Sequence, residues 1–467
     1  MIYFFRVILT TPTGSTPKVN HPNQQRNLYF QRSIYFESNF VTNNMTISSE
    51  QAISLEEKFG AHNYHPLPVV LSRGEGVYLW DPEGNRYFDF LSAYSAVNQG
   101  HCHPDIIRAL KEQGETLTLT SRAFYNNVLG EFERKLSEIF GFDRVLPMNT
   151  GAEAVETAIK IARKWGYEVK GVPANQAKVV VCGQNFHGRT ITIVSFSSSS
   201  EASENFGPHT PGFIKIEYNS IEALRNTLES DKNIVAFLVE PIQGEAGVNV
   251  PDENYLREAA KLCNENNVLL ICDEIQTGIA RTGSLLATCG NCTCMQECER
   301  QPEHYTKPDL LILGKALSGG VYPVSAVLAD DHIMNVLKPG QHGSTFGGNP
   351  LAGKVAMAAL DVVHNENLSQ NARKLGEIFR DEMNRLKNEC PLITGVRGKG
   401  LLNAVEINDS PDGETAWDLC VELKNRGLLA KPTHGNIIRF APPLVMTEEQ
   451  LMECIKIIRE TFLEYKA

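Results

Sequence analysis

The 467-residue chain has no apolar run approaching the ~18 residues that a membrane-spanning helix requires. It also lacks an excess of basic charge. Its 44 lysines and arginines stand against 55 acidic residues, for a net charge of −11, the wrong sign for a protein that tracks a phosphate backbone. No Gly-x-Gly-x-x-Gly turn joins an early strand to a helix, which disfavours a nicotinamide dehydrogenase, the reading from a different class. Internal repeats are absent. Of the 11 cysteines, Cys102, Cys182, Cys263, Cys272, Cys390, Cys420 and Cys454 stand singly, several within apolar runs. That pattern suits buried thiols in a reducing compartment and not a disulfide framework. Small metabolites are the expected partners, with no nucleic acid and no membrane.

Acidic residues are also missing from positions 1–36, where Arg6, Lys18, Arg26 and Arg32 occur among many Asn, Gln, Ser and Thr. An acid-free, arginine-bearing start reads as a mitochondrial leader within residues 1–48; a disordered extension on a cytoplasmic protein is the alternative, and Met45 offers a second start.

What is present is ordinary globular composition, 42% apolar and 21% charged, in a chain long enough for two or three domains. Residues 49–94 read as an N-terminal segment: a helix over 49–60, then a hairpin of 77–81 and 86–90 around Pro82-Glu-Gly-Asn85. From about residue 104, helical patterns (104–116, 127–140, 152–166, 221–229, 253–266) alternate with apolar strands (178–182, 191–196, 234–239, 268–272, 310–314). Such alternation predicts an α/β fold with a mostly parallel sheet covered by helices, here spanning 95–350. A helix over 350–365 leads into a smaller α+β unit, 351–467, that closes on a helix over 447–464.

Two of the predicted strands end in chemistry. Val268-Leu-Leu-Ile-Cys272 runs into Asp273, and Leu310-Leu-Ile-Leu-Gly314 into Lys315, followed by the small residues Ala316-Leu-Ser-Gly-Gly320. Ligands of open parallel sheets bind at the carboxyl ends of strands, where these residues converge. A desolvated lysine releases its proton readily and forms a Schiff base with an aldehyde. Pyridoxal 5′-phosphate needs such a lysine and an anion beside its ring nitrogen. Lys315 and Asp273 suit those two roles.

Two polar, glycine-bearing turns open helices and offer phosphate seats: Asn149-Thr-Gly151-Ala152 and His342-Gly-Ser344-Thr345-Phe-Gly-Gly. Behind strand 178–182, Phe186 is placed to cover a pyridine face and Arg189 to grip a carboxylate. His101, His103 and Trp165 are read as capping or packing residues.

Six motifs in order carry a resemblance: Gly60-Ala-His-Asn-Tyr64-His-Pro-Leu-Pro, Tyr94-Ser-Ala-Val-Asn-Gln-Gly-His-Cys-His-Pro104, Glu240-Pro-Ile-Gln-Gly-Glu245-Ala-Gly, Asp273-Glu-Ile-Gln276-Thr-Gly, Leu313-Gly-Lys315-Ala-Leu-Ser-Gly-Gly and Ile438-Arg439-Phe-Ala-Pro-Pro443. From about Gly60 to its C-terminus the chain resembles the class III, fold type I pyridoxal-phosphate aminotransferases, and more narrowly the ornithine aminotransferases. The resemblance implies a ping-pong transaminase that moves the δ-amino group of L-ornithine to 2-oxoglutarate, giving glutamate 5-semialdehyde and L-glutamate. Acetylornithine and 4-aminobutyrate stay open as alternative substrates.

The same resemblance assigns roles. Lys315 would carry the cofactor and move the substrate proton, Asp273 would pair with the pyridinium, Gln276 would bond the ring hydroxyl, and Phe186 would stack. Gly151, Ala152, Ser344 and Thr345 would hold the phosphate, Thr345 from a second subunit, so that a homodimer or an assembly of dimers is implied. Tyr64 and Arg189 would bind the α-amine and α-carboxylate of ornithine, with Tyr94 shaping the pocket. Arg189 and Arg439 would grip the two ends of 2-oxoglutarate. Glu245 would cover Arg439 in the ornithine half-reaction and move aside for the oxo acid.

One departure from the family pattern lies in the insertion 284–307, where Cys289, Cys292, Cys294 and Cys298 crowd into ten positions, with His304 nearby. Zinc binding, redox exchange and an inert surface loop are all open there. The spacing lacks the second, separated pair of a zinc site, and no metal is assigned.

Overall fold

A computed structural model describes residues 47–290 and 305–466. Residues 1–46, where the leader is expected, and Cys292, Cys294, Cys298 and His304 lie outside the described residues. At the start, Ser48 caps the helix Ser49–Phe59 through a reciprocal capping box with Gln51. Strands β1 (Arg73–Glu75), β2 (Tyr78–Trp80) and β3 (Arg86–Asp89) then form an antiparallel meander, with Tyr78 opposite Phe88 as the hairpin reading expects.

Seven strands build the central sheet: β4 (Arg144–Met148), β5 (Lys178–Cys182), β6 (Phe213–Ile216), β7 (Ile234–Val239), β8 (Leu269–Asp273), β9 (Leu310–Leu313) and β10 (Ser325–Ala329). Their order is β4-β10-β9-β8-β7-β5-β6, and β10 alone runs against the rest. Helices pack on both faces, so β7, β8 and β9 are buried along their whole length and read as continuous apolar runs.

Strands β11 (Ile393–Lys399), β12 (Leu402–Ile407), β13 (Leu428–Leu429), β14 (Lys431–Thr433) and β15 (Ile437–Phe440) follow the helices Pro350–Asn365 and Leu368–Glu389. Four of them form a sheet in the order β11-β12-β15-β14. The fifth, β13, crosses over to pair in parallel with β3, Leu428 beside Phe88.

The stretch 191–196, expected as a strand, is instead the short helix Ile191–Val194. Thr190 Oγ1 accepts the N–H of Ile193 and caps it, and the helix packs on the helix Gly151–Trp165. Ile193 and Val194 are buried there while Ile191 faces outward. An apolar run this short satisfies either period, and its tertiary neighbour decides. The edge position belongs to β6. His103 is the N-cap of the helix Pro104–Gly114, and Trp165 packs in the core, as read.

Two buried charges stitch the loops beneath the site. Arg281, fully buried, donates to Asn98 Oδ1 at 3.0 Å and to the carbonyls of Leu401 (2.9 Å) and Pro442 (2.6 Å); burial pushes its guanidinium down to about 9. Glu274 accepts the N–H groups of Ala287 and Thr288 and fixes the chain entering the insertion.

Candidate active site

Four adjacent parallel strands, β9, β8, β7 and β5, deliver side chains from their carboxyl ends into one cavity of about 130 Å³. Lys315 follows β9, Asp273 ends β8, Glu240 follows β7, and Phe186 and His187 lie beyond β5. All five line the cavity, together with Gly151, Ala152 and Gln276. Convergence at the strand ends is the arrangement that an open parallel sheet makes available.

Lys315 opens a 3-10 turn in a left-handed conformation, φ +44°. For a non-glycine residue this is a sparsely populated state that persists only where the surroundings enforce it. Burial pushes its amine down to about 8, while Glu245 and Asp273 partly restore the charged form. Nζ has no hydrogen-bond partner among the described residues, so the amine is available.

Asp273, 4% exposed, accepts the backbone N–H of Ile275 at 3.0 Å and meets His187 Nδ1 at 2.6 Å. Burial works against charge on His187, but the hydrogen bond to Asp273, the Asp273 charge and Glu240 together raise its pKa. Its Nε2 is buried without a partner among the described residues. Glu240 accepts the N–H of Phe186 at 2.9 Å, and burial pushes its carboxyl up to about 7.

At the other wall, Thr150 and Glu153 form a capping box at the start of the helix Gly151–Trp165. Gly151 and Ala152 line the cavity, and their N–H groups are left without partners among the described residues. Free first-turn amides at the positive end of a helix are an anion seat. Gln276 donates to the carbonyl of Tyr94 at 3.4 Å. Its amide lies close against Gly244, where a Cβ would fall 1.9 Å from Gln276 Oε1 and push the amide away from its place.

The substrate-side residues form a second group. Arg439, 3% exposed, donates to Glu245 Oε2 at 2.7 Å and sits 5.1 Å from the centre of the Tyr94 ring. Burial works to raise the Glu245 carboxyl, but the Arg439 charge and hydrogen bond outweigh it and hold the carboxyl below its ordinary range. Burial pushes the Tyr94 hydroxyl up against the Arg439 charge, with Tyr64 near enough to add to the rise. Tyr64 is itself exposed, on a strap anchored by His65, whose ring stacks on Trp417 at 4.3 Å and whose carbonyl accepts from Lys431. Arg189 lies 5.7 Å from the centre of the Phe186 ring.

The last two expected residues behave differently. Ser344 Oγ accepts from Asn149 Nδ2 at 2.8 Å, beside the helix start, while Thr345 is exposed and does not line the cavity. Sequence reasoning gave no role to His187 or Glu240. The signal for Glu240 was the same as for Asp273: a carboxylate directly after a fully apolar strand.

These residues fit pyridoxal phosphate: an available low-pKa amine, a buried carboxylate for the ring nitrogen, an aromatic wall and unpartnered amides for the phosphate. The chain matches the family "Aminotransferase class-III" over residues 59–462. It is 58% identical over 408 residues to the mitochondrial ornithine aminotransferase of Drosophila melanogaster, covering 87% of this chain and 90% of that protein. Among solved structures, the ornithine aminotransferase of Toxoplasma gondii superposes with a TM-score of 0.85 at 50% identity (90% of this chain, 95% of the other), and that protein holds PLP at partial occupancy in its active site. An acetylornithine aminotransferase from Elizabethkingia anophelis gives a TM-score of 0.80 at 61% identity, over 90% of this chain and 100% of the other. With the family match spanning most of its length and the strand-end site in place, the chain belongs to the class-III aminotransferases, pyridoxal-phosphate enzymes of fold type I.

Proposed function

We propose that the enzyme transfers the δ-amino group of L-ornithine to 2-oxoglutarate, yielding glutamate 5-semialdehyde and L-glutamate. The observation that carries this reading is the Arg439–Glu245 pair facing Tyr94 beside Lys315. A buried arginine already covered by a carboxylate does not attract the α-carboxylate of an amino acid, and discrimination by blocking the wrong mode follows. Ornithine then binds with its α-amine toward Tyr64 and its α-carboxylate toward Arg189, leaving the δ-amine for the reacting centre. When 2-oxoglutarate enters, Glu245, a third exposed, swings out and Arg439 takes the second carboxylate.

The cofactor, when bound, supplies an aldehyde that captures the amine and a pyridinium that draws electrons from the bond broken at the adjacent carbon. Asp273, oriented by His187, keeps the ring nitrogen protonated. Gln276 holds the ring hydroxyl, Phe186 covers the face, and Gly151, Ala152 and Ser344 seat the phosphate. Lys315 Nζ takes the proton leaving the δ-carbon of ornithine and delivers one to C2 of 2-oxoglutarate in the second half-reaction. Its pKa near 8 suits a group that must work in both directions near neutral pH.

Incubation with ornithine labelled with ¹⁵N at the δ position tests the reading: the label is expected in glutamate. Label retained in the oxo product, or faster turnover with acetylornithine or 4-aminobutyrate, overturns it. Glu245→Ala is expected to raise α-amine transfer from glutamate relative to δ-transfer from ornithine by on the order of tenfold. An unchanged ratio speaks against the switch.

We also infer a homodimer. Thr345 and Phe346 are exposed on the loop after His342, and Phe124 and Tyr125 are exposed before the helix Leu129–Phe140; the resemblance to the family assigns the hydroxyl that completes the phosphate seat to Thr345 of a second copy. Sedimentation of the holoenzyme at the mass of one chain is incompatible with this. Residence in the mitochondrial matrix is supported by the acid-free residues 1–36 and by a relative named mitochondrial, with the cytoplasm as the alternative; fractionation of cells expressing the full chain decides between them.

A further inference from the structure

Ser92, Ala93, Tyr94 and Ser95 have φ of +49°, +46°, +60° and +70°, four consecutive left-handed residues without a glycine, asparagine or aspartate among them. L-residues visit this region singly and at a cost, because Cβ approaches the following carbonyl oxygen. A full turn of it is held by identifiable bonds. Asp89 Oδ1 accepts the N–H groups of Leu91 and Ser92, both at 2.8 Å, and Asp89 Oδ2 meets His101 Nε2 at 2.7 Å. Ser92 Oγ donates to the carbonyl of Ala441 at 2.7 Å, and the N–H of Ala96 closes the turn on Ser92 at 2.9 Å.

The turn and the segment after it are bonded next to two residues of the site. Ala441 lies two positions beyond Arg439. On the other side Gln99 donates to the carbonyl of Ala316 at 2.9 Å, directly after Lys315. The centre of the Tyr94 ring lies 5.1 Å from the Arg439 guanidinium, and the Tyr94 carbonyl accepts from Gln276.

We infer that the left-handed turn Ser92–Ser95, clamped by Asp89, is a positioning device that fixes Tyr94 against Arg439 and thereby sets which end of a diamino acid reaches Lys315. The inference rests on the ornithine reading above. Asp89 touches neither substrate nor cofactor and acts through Tyr94. Side chains at 92 and 94 serve as clamp and ring. Ala93 is exposed and its methyl serves no such contact, yet glycine would adopt the observed φ with less strain. What the methyl does is narrow the conformations open to the turn.

The test uses three holoenzyme variants, Asp89→Ala, Asp89→Asn and Ala93→Gly, with cofactor absorbance followed in separate half-reactions with ornithine and with glutamate. Asp89→Ala is expected to lower kcat/KM for ornithine by about tenfold, mainly through KM, with the glutamate half-reaction within about threefold of wild type. Asp89→Asn keeps the Oδ1 acceptor and offers His101 a donor, and restores most of the preference. Ala93→Gly lowers the ornithine-to-glutamate preference by about threefold without lowering Tm, a combination that a purely structural role does not produce. Should Asp89→Ala fail to fold, Ala93→Gly decides alone. Preference unchanged in Ala93→Gly and in any folded Asp89→Ala overturns the inference. A wild-type enzyme with no preference for ornithine over glutamate instead defeats the functional reading, and the inference falls with it.

Discussion

Lys315→Ala is expected to lower the rate of amine transfer by at least ~10³-fold, because general-base work alone contributes about 10²–10⁴ and the same amine also anchors the cofactor. The carboxylates nearest the amine keep other partners, Glu245 on Arg439 and Asp273 on His187, so removal of the side chain leaves neither stranded and the variant is expected to fold. Borohydride reduction followed by mass spectrometry checks the anchor: the wild-type adduct maps to residue 315, and an adduct at another lysine removes the foundation of the mechanism. A pH dependence accompanies it. Only the neutral amine attacks an aldehyde, and burial places its pKa at about 8. Capture of added cofactor by the apoprotein therefore accelerates as pH rises toward 8 and levels off above it, measured by the change in cofactor absorbance.

The second large effect belongs to Asp273→Ala. Asp273 and His187 are both buried, and His187 Nε2 already lacks a partner among the described residues. Removal of the carboxylate strands Nδ1 as well and leaves the ring nitrogen of the cofactor without its counter-charge. Breaking a buried pair of this kind costs about 3–5 kcal/mol; with a loss of that size at the transition state, 1.36 kcal/mol per decade gives an expected fall in kcat of about 10²–10⁴-fold. Single-turnover kinetics with ornithine read it directly. A rate within a few-fold of wild type would show that the carboxylate does not serve the ring nitrogen.

The strand-end pair Asp273 and Lys315 was legible because both follow fully apolar runs, and a buried parallel strand tolerates little else before its carboxyl end. Glu240 follows β7 in the same manner, but a carboxylate at a strand end does not by itself say which partner it meets, and its contact with the N–H of Phe186 is a long-range one. Ile191–Val194 misled by composition: four β-branched or hydroxyl residues suit a strand, and only the cap at Thr190 and the neighbouring helix make them helical. β4 and β10 escaped for a related reason. Pro147 interrupts one, and Ser325-Ala-Val-Leu-Ala329 favours neither state strongly. The turn Ser92–Ser95 was illegible in principle, since nothing in Ser-Ala-Tyr-Ser marks positive φ; long-range bonds from Asp89 and Ala441 impose it.

The pairing of β13 with β3 joins Leu428 to Phe88, and Ser92 bonds a carbonyl 349 positions away. Contacts of such sequence separation form late, because loop closure must precede the reward. During synthesis the segment bearing Tyr94 emerges long before its C-terminal partners. It must therefore wait, unpaired and with apolar Phe88 and Phe90 uncovered, until the ribosome has released nearly the whole polypeptide. Chaperone dependence of newly made chains, and loss of activity on even modest C-terminal truncation, follow from that order of events.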